Sequence, residues 1–153
     1  MLNPDYRDIL SLFAEEQVEF LLVGAYALAA HGYVRATGDI DLWVRAEPAN
    51  AQRVMRALAR FGAPLSQVSA ADFSKPGIVF QIGLAPRRID ILTLIDGVDF
   101  AGAWPDRLEV ELEGLVVPVL SWAHLKENKR AAGREKDRAD LAWLEGHDES
   151  EEA

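Results

Sequence analysis

The chain has 153 residues, half of them hydrophobic and 27% charged, the size and composition of one ordinary globular domain. Its formal charge of −9 argues against a protein that coats nucleic acid by bulk electrostatics, because neutralising phosphates takes a basic footprint. The absence of cysteine excludes disulfides and thiolate metal sites, and makes a reducing compartment the natural one.

The N-terminus carries acids and a proline in place of the basic and apolar segments of a signal peptide. The longest apolar runs are too short to span a bilayer, so a cytoplasmic protein with no membrane partner is expected. Charge is unevenly spread. The tail "EGHDESEEA" carries five acids and no Lys or Arg, whereas residues 126–138 hold six Lys/Arg against three Asp/Glu. That local positive patch suits a small anionic ligand better than a long polyanion.

In chain order, Asn3 reads as an N-cap with Pro4 at the first helical position, and Ile9, Leu10, Leu12 and Phe13 keep helical spacing as far as Gln17. "VEFLLVG" is a short buried strand ending at Gly24. "AYALAAHG" is a short helix closed by Gly32. "DIDLWV" is the second strand, and Pro48 starts a helix that Gly62 and Pro64 end. In that helix Arg53, Arg56 and Arg60 fall mostly on the outer face. Residues 63–77 are loop-rich, with a helical turn begun by Ser69. "GIVFQIGL" and "RRIDILTLI" form a hairpin around Ala85 and Pro86, and "FAGAWPD" is a helical turn. "LEVELEGLVVPVLS" reads as strand, turn at Glu113-Gly114 and strand, with Pro118 placing the second strand at a sheet edge. Helices over Ser121 to Ala132 and Arg134 to Glu145, with Gly133 between them, finish the chain. The expected fold class is α/β (α+β): one mixed sheet with packed helices. It forms a single domain over residues 1–145, with a core to about 120, a C-terminal helical segment at 121–145 and an acidic tail at 146–153.

Residues i and i+2 of a strand share a face, so Asp39, Asp41 and Trp43 point one way and Ile40, Leu42 and Val44 the other. Two ionised carboxylates converging within ~4 Å repel by about 4 kcal/mol at an effective dielectric near 20. A shared proton or a divalent cation relieves that repulsion, and hard oxygen donors favour Mg2+ or Mn2+ over zinc. In "RRIDILTLI", Asp90 interrupts an apolar strand and shares a face with Arg88 and Leu92. If that strand lies beside "DIDLWV", Asp90 completes a triad, either as a further metal ligand or as general base toward an attacking hydroxyl.

"LLVGAYALAAHGYVRATGDIDLWV" resembles the opening motif of the polymerase-beta-like nucleotidyltransferase superfamily, "RIDIL" resembles its third acidic strand, and "HLKENKRAAGREKDRADLAWL" resembles the C-terminal helices of small prokaryotic members, including abortive-infection-type toxin nucleotidyltransferases. The resemblance implies that Gly24 and Ala25 start a helix whose amides face nucleotide phosphates. It makes Asp39 and Asp41 metal ligands and Asp90 the third catalytic and metal-binding acid. It further implies transfer of a nucleoside monophosphate from a metal-bound NTP to a hydroxyl acceptor, whether tRNA, protein or small molecule, with a toxin–antitoxin or phage-defence setting among the possibilities. A cognate antitoxin or a homodimer belongs to the same expectation, and a non-catalytic nucleotide- or partner-binding module is the alternative. The chain departs from the family at Ala25, where Ser or Gly is usual; the backbone donor stays and a hydroxyl is lost.

Lys129 is in helical register with Trp122, Leu125 and Ala132, and Asp137 with Leu141 and Leu144. A Lys129–Asp137 pair would pin the last two helices together. Alternatively, or as well, Lys129 and Arg134 reach the nucleotide phosphates across the cleft. Arg35, just before the acidic strand, is expected to contact phosphate or neutralise Asp39. His31 is expected to cap or pack, and Trp43 to pack in the core.

Overall fold

The structure is a computed structural model and describes residues 2–34 and 38–147. Helix α1 (Pro4–Glu15) opens with the Asn3 side chain accepting the Tyr6 N–H at 2.9 Å, and chain reversal follows at Gln17, whose φ is 59°. Strand β1 (Phe20–Val23) runs directly into α2 (Gly24–Ala30); β2 (Ile40–Val44) and α3 (Pro48–Phe61) follow. The short α4 (Ala70–Phe73) starts at the Ser69–Asp72 capping box. The hairpin β3 (Val79–Ile82) and β4 (Ile89–Leu92) comes next, then the helical turn α5 (Phe100–Ala103). A second hairpin, β5 (Leu108–Leu112) and β6 (Leu115–Val119), leads to α6 (Trp122–Ala132) and α7 (Glu135–Gly146).

One six-stranded mixed sheet in the order β3-β4-β2-β1-β6-β5 carries these elements. β2 pairs antiparallel with β1 and parallel with β4, and β6 is parallel to β1. The alternation expected in "DIDLWV" holds, with Ile40, Leu42 and Val44 all fully buried. Trp43 is also buried, its ring edge-on to Phe100 at 4.9 Å, so it packs in the core. α1 and α3 are laced together by Arg56–Glu16 at 3.2 Å and Arg60–Glu15 at 2.8 Å, which gives two arginines of the outer helix face a structural use.

Pro118 does not mark an edge. β6 lies between β1 and β5, and the edges are β3 and β5. The β1–β6 ladder is registered only at Leu22 with Val119, with Leu120 N–H donating to the Leu22 carbonyl at 3.1 Å. Strand alternation turns position 118 toward β1 as well, so the missing donor falls where that short ladder has already ended. An interior strand tolerates the proline because its partner on that side is brief.

α6 and α7 pack against each other around a buried charge cluster. Lys129, 5% exposed, lies 3.3 Å from Asp137 and 3.0 Å from Asp140, both fully buried. Arg134 adds a 2.6 Å bond from Nε to Asp137. Burial pushes the Asp137 carboxyl up, but hydrogen bonds from Arg134 and Lys129 outweigh it and hold it below the usual value. The expected Lys129–Asp137 tie is present, with Asp140 as an additional partner. Farther along α7, Trp143 stacks on Tyr33 at 4.7 Å and on His147 at 4.3 Å, docking the helix on the residue that follows the end of α2 and Gly32.

Lys129→Met strips the ammonium from two buried acids while Arg134 keeps Asp137 paired. A loss of about 3 kcal/mol in urea unfolding is expected, and unchanged stability would show that the ammonium does not tie the helices. Because the Asp137 value is lowered in the fold, its contribution is full above the ordinary carboxylate value and is lost as pH falls through the folded one.

Candidate active site

The candidate site lies where β1 ends and β2 and β4 begin, beside α2. The parallel register sets Asp41 directly opposite Asp90, and the antiparallel register sets Asp41 opposite Val23, the residue before Gly24. Gly24 has φ +70°, and a Cβ placed there would stand 2.2 Å from Asp41 Oδ2. Only glycine lets the carboxylate lie over the turn from β1 into α2. Gly38 has a matching role at the entrance to β2, where an added Cβ would meet the Pro86 carbonyl oxygen at 1.8 Å. The Tyr6 hydroxyl donates to the Gly38 carbonyl and to the Arg88 carbonyl, the latter at 3.2 Å, so α1 anchors the strand entrances that carry the acids.

Asp41 is hydrogen-bonded to Asp90, and its carboxyl is pushed up to about 6. Burial is the largest cause, followed by the charge and hydrogen bond of Asp90 and the charge of Asp39, with Lys136 opposing them. Arg88 answers the remaining charge. It grips Asp90 through Nε at 2.7 Å and Nη2 at 3.2 Å, and reaches Asp39 Oδ2 at 3.2 Å, while its backbone N–H donates to Asp39 Oδ1 at 3.0 Å. Among the described residues, no group of three His, Asp or Glu side chains is arranged to hold a metal ion as they stand. Arg88 engages both oxygens of Asp39 and both of Asp90. Asp41 and Asp90 form an adjacent pair of hard oxygen donors, a chemistry that fits Mg2+ or Mn2+.

A cleft of about 560 Å3 opens over these acids. Its sheet side comprises Gly24, Ala25, Asp39, Asp41, Arg88 and Asp90, and Lys129, Arg134 and Lys136 face them from α6, α7 and the turn between. Seven expected site residues therefore share one cavity: Gly24, Ala25, Asp39, Asp41, Asp90, Lys129 and Arg134. Arg35 falls outside the described residues. His31 packs, with Nε2 2.9 Å from the Leu120 carbonyl and its ring edge-on to Trp122. Two charged cleft residues, Arg88 and Lys136, were not singled out from the sequence. Arg88 stands two positions before Asp90 on the same strand face, which was the signal for it. Lys136 was hidden within a basic stretch, where no periodicity separates a cleft lysine from its neighbours.

No family model and no curated protein matches the chain. Solved structures do. A Thermotoga maritima protein described as a candidate nucleotidyltransferase aligns over 96% of this chain and 97% of its own, with a TM-score of 0.62 and 20% identity. The lincosamide antibiotic adenylyltransferase LnuA, bound to lincomycin, aligns over 95% and 97% with a TM-score of 0.57 and 17% identity. The antibiotic-resistance factor ANT(2'')-Ia, in solution, aligns over 92% and 80% with a TM-score of 0.59 and 16% identity. At these identities the likeness is one of fold. The mixed sheet and its helices are those of the nucleotidyltransferase fold.

Asp41 is raised in the fold, so the stability it confers is full below its ordinary value of 3.8 and falls as pH rises through about 6. In chelator-containing buffer, Asp41→Asn should exceed the parent in stability at pH 8 by up to about 3 kcal/mol, with the gap closing by pH 4. An equal gap at both pH values would contradict the shift. Gly24→Ala should displace the Asp41 carboxylate, cost about 1 kcal/mol or more from the positive φ, and abolish any metal binding seen by calorimetry. Unchanged binding would show that the close approach is not required.

Proposed function

We propose that the chain is a metal-dependent nucleotidyltransferase that moves a nucleoside monophosphate from an NTP to the hydroxyl of a small-molecule acceptor. The observation that carries this is the Asp41–Asp90 pair, side by side on parallel strands over Gly24, at the floor of a cleft large enough for a nucleotide. The acceptor class draws its support from the fold neighbours, one bound to lincomycin and one, ANT(2''), also solved with adenylyl-2''-tobramycin at a TM-score of 0.52 and 17% identity.

Asp41 and Asp90 would hold the divalent cation, with Asp39 joining them once its carboxylate leaves Arg88. When bound, the ion supplies charge neutralisation for the triphosphate. Gly24 and Ala25 begin a helix whose cap residue Val23 makes no side-chain bond to the first amides, so those N–H groups remain available to phosphate oxygens. In the reaction, an acceptor oxygen forms a bond to the α-phosphorus and the bond to the bridging oxygen breaks. Pyrophosphate departs with that electron pair, and the hydroxyl proton passes to the Asp90 carboxylate. Arg88 holds Asp90 in place for this step through its two-point contact. An abortive-infection or toxin–antitoxin setting, with tRNA or protein as acceptor, has only the sequence resemblance behind it.

The test is calorimetric titration of each NTP with magnesium, followed by labelled NTP incubated with lincosamides, aminoglycosides or total tRNA. Metal-dependent binding is expected in the parent and should fall at least a hundredfold in Asp39→Asn/Asp41→Asn. Label should pass to a small molecule. Label on tRNA would move the acceptor class, and a folded parent that binds no NTP would sink the reading in favour of a non-catalytic module.

A further inference from the structure

The helix side of the cleft looks more basic in sequence than it is in charge. Lys129 is enclosed by Asp137 and Asp140, and Arg134 is held by Asp137 at 2.6 Å. Two cations meet two buried acids, so this corner brings almost no net positive charge. On the sheet side Arg88 is taken up by Asp39 and Asp90. Lys136 is different. It is exposed, lines the same cleft and forms no ion pair among the described residues, yet its charge acts on the Asp41 carboxylate.

A triphosphate entering a site that already holds three carboxylates needs positive charge that is not already committed. A bound divalent ion would supply part of it, and among the described residues Lys136 is the cleft cation free to supply more. Its flexible stem and three rotatable donors let the ammonium follow a phosphate chain, which the enclosed Lys129 cannot do without leaving two buried acids behind.

We propose that Lys136 is the side chain that grips the phosphate chain of the nucleotide, and that Lys129 and Arg134 build the surface from which it projects. This inference rests on the nucleotidyltransferase reading above. It assigns a phosphate-binding role to a residue whose removal leaves the buried cluster intact.

Calorimetry with magnesium and each ribonucleoside triphosphate, on the parent, Lys136→Ala and Lys136→Arg, separates the possibilities, with the monophosphate of the preferred nucleotide as comparison. Lys136→Ala should bind the triphosphate about tenfold or more weakly and the monophosphate with a smaller loss, at an unchanged melting temperature. Lys136→Arg should recover most of the affinity. Triphosphate binding by Lys136→Ala equal to the parent's would overturn the assignment and leave the nucleotidyltransferase reading standing. Equal losses for both nucleotides would also overturn it, because the effect would then not lie in the phosphate chain. A folded parent that binds no triphosphate would remove both.

Discussion

Asp41 and Asp90 face each other across parallel strands in a place where water cannot fully screen them, and the rest of the cleft is arranged around that like-charge contact. Holding them there requires a glycine at position 24, since any Cβ would occupy the volume of the Asp41 carboxylate. It also requires a counter-charge, which Arg88 provides from the same strand as Asp90 while drawing Asp39 to itself. Tyr6 fixes the two strand entrances by donating to the carbonyls of Gly38 and Arg88. Under the proposed function, a divalent ion bound between the two acids would relieve that repulsion.

A second charge cluster sets the opposite wall. Lys129, Asp137 and Asp140 are buried together between α6 and α7, where removing one partner would leave a buried charge unanswered. The Tyr33–Trp143–His147 stack continues the same docking toward the end of α2. The two walls thus use charge differently. Among the described residues, the sheet side crowds Asp39, Asp41 and Asp90 around the single cation Arg88, whereas on the helix side cations and acids balance and Lys136 is left over in the cleft.

The fold places the chain beside a lincosamide antibiotic adenylyltransferase and an antibiotic-resistance factor, at identities where only the backbone plan is shared. What a common plan contributes is the mixed sheet, and in this chain its adjacent strands β2 and β4 bring Asp41 and Asp90 to one point. What it does not contribute is acceptor specificity, which depends on side chains around the cleft. In this chain the cleft is polar and charged near the acids, and the apolar side chains of Val79 and Leu94 are more than half exposed elsewhere.

Most elements were legible from the amino-acid order because local physics decides them. Asn3 and Pro4 start α1, Gly62 and Gly133 stop α3 and α6 in left-handed conformations, and alternation in "DIDLWV" separates a buried face from the acids. Strand order is not local, which is why Pro118 pointed to an edge that β6 does not occupy. The same limit applies to the site. Sequence named Asp39, Asp41 and Asp90, but the parallel register of β2 and β4 decided that Asp41 is the one set against Asp90, leaving Asp39 to Arg88. It likewise named Lys129, while helix packing added Asp140 to its partners and so took its charge out of play. Residue type and spacing determine which groups can share a face of one element; only the packing of elements determines which charges meet, because Coulomb energies depend on distances that the chain order does not contain.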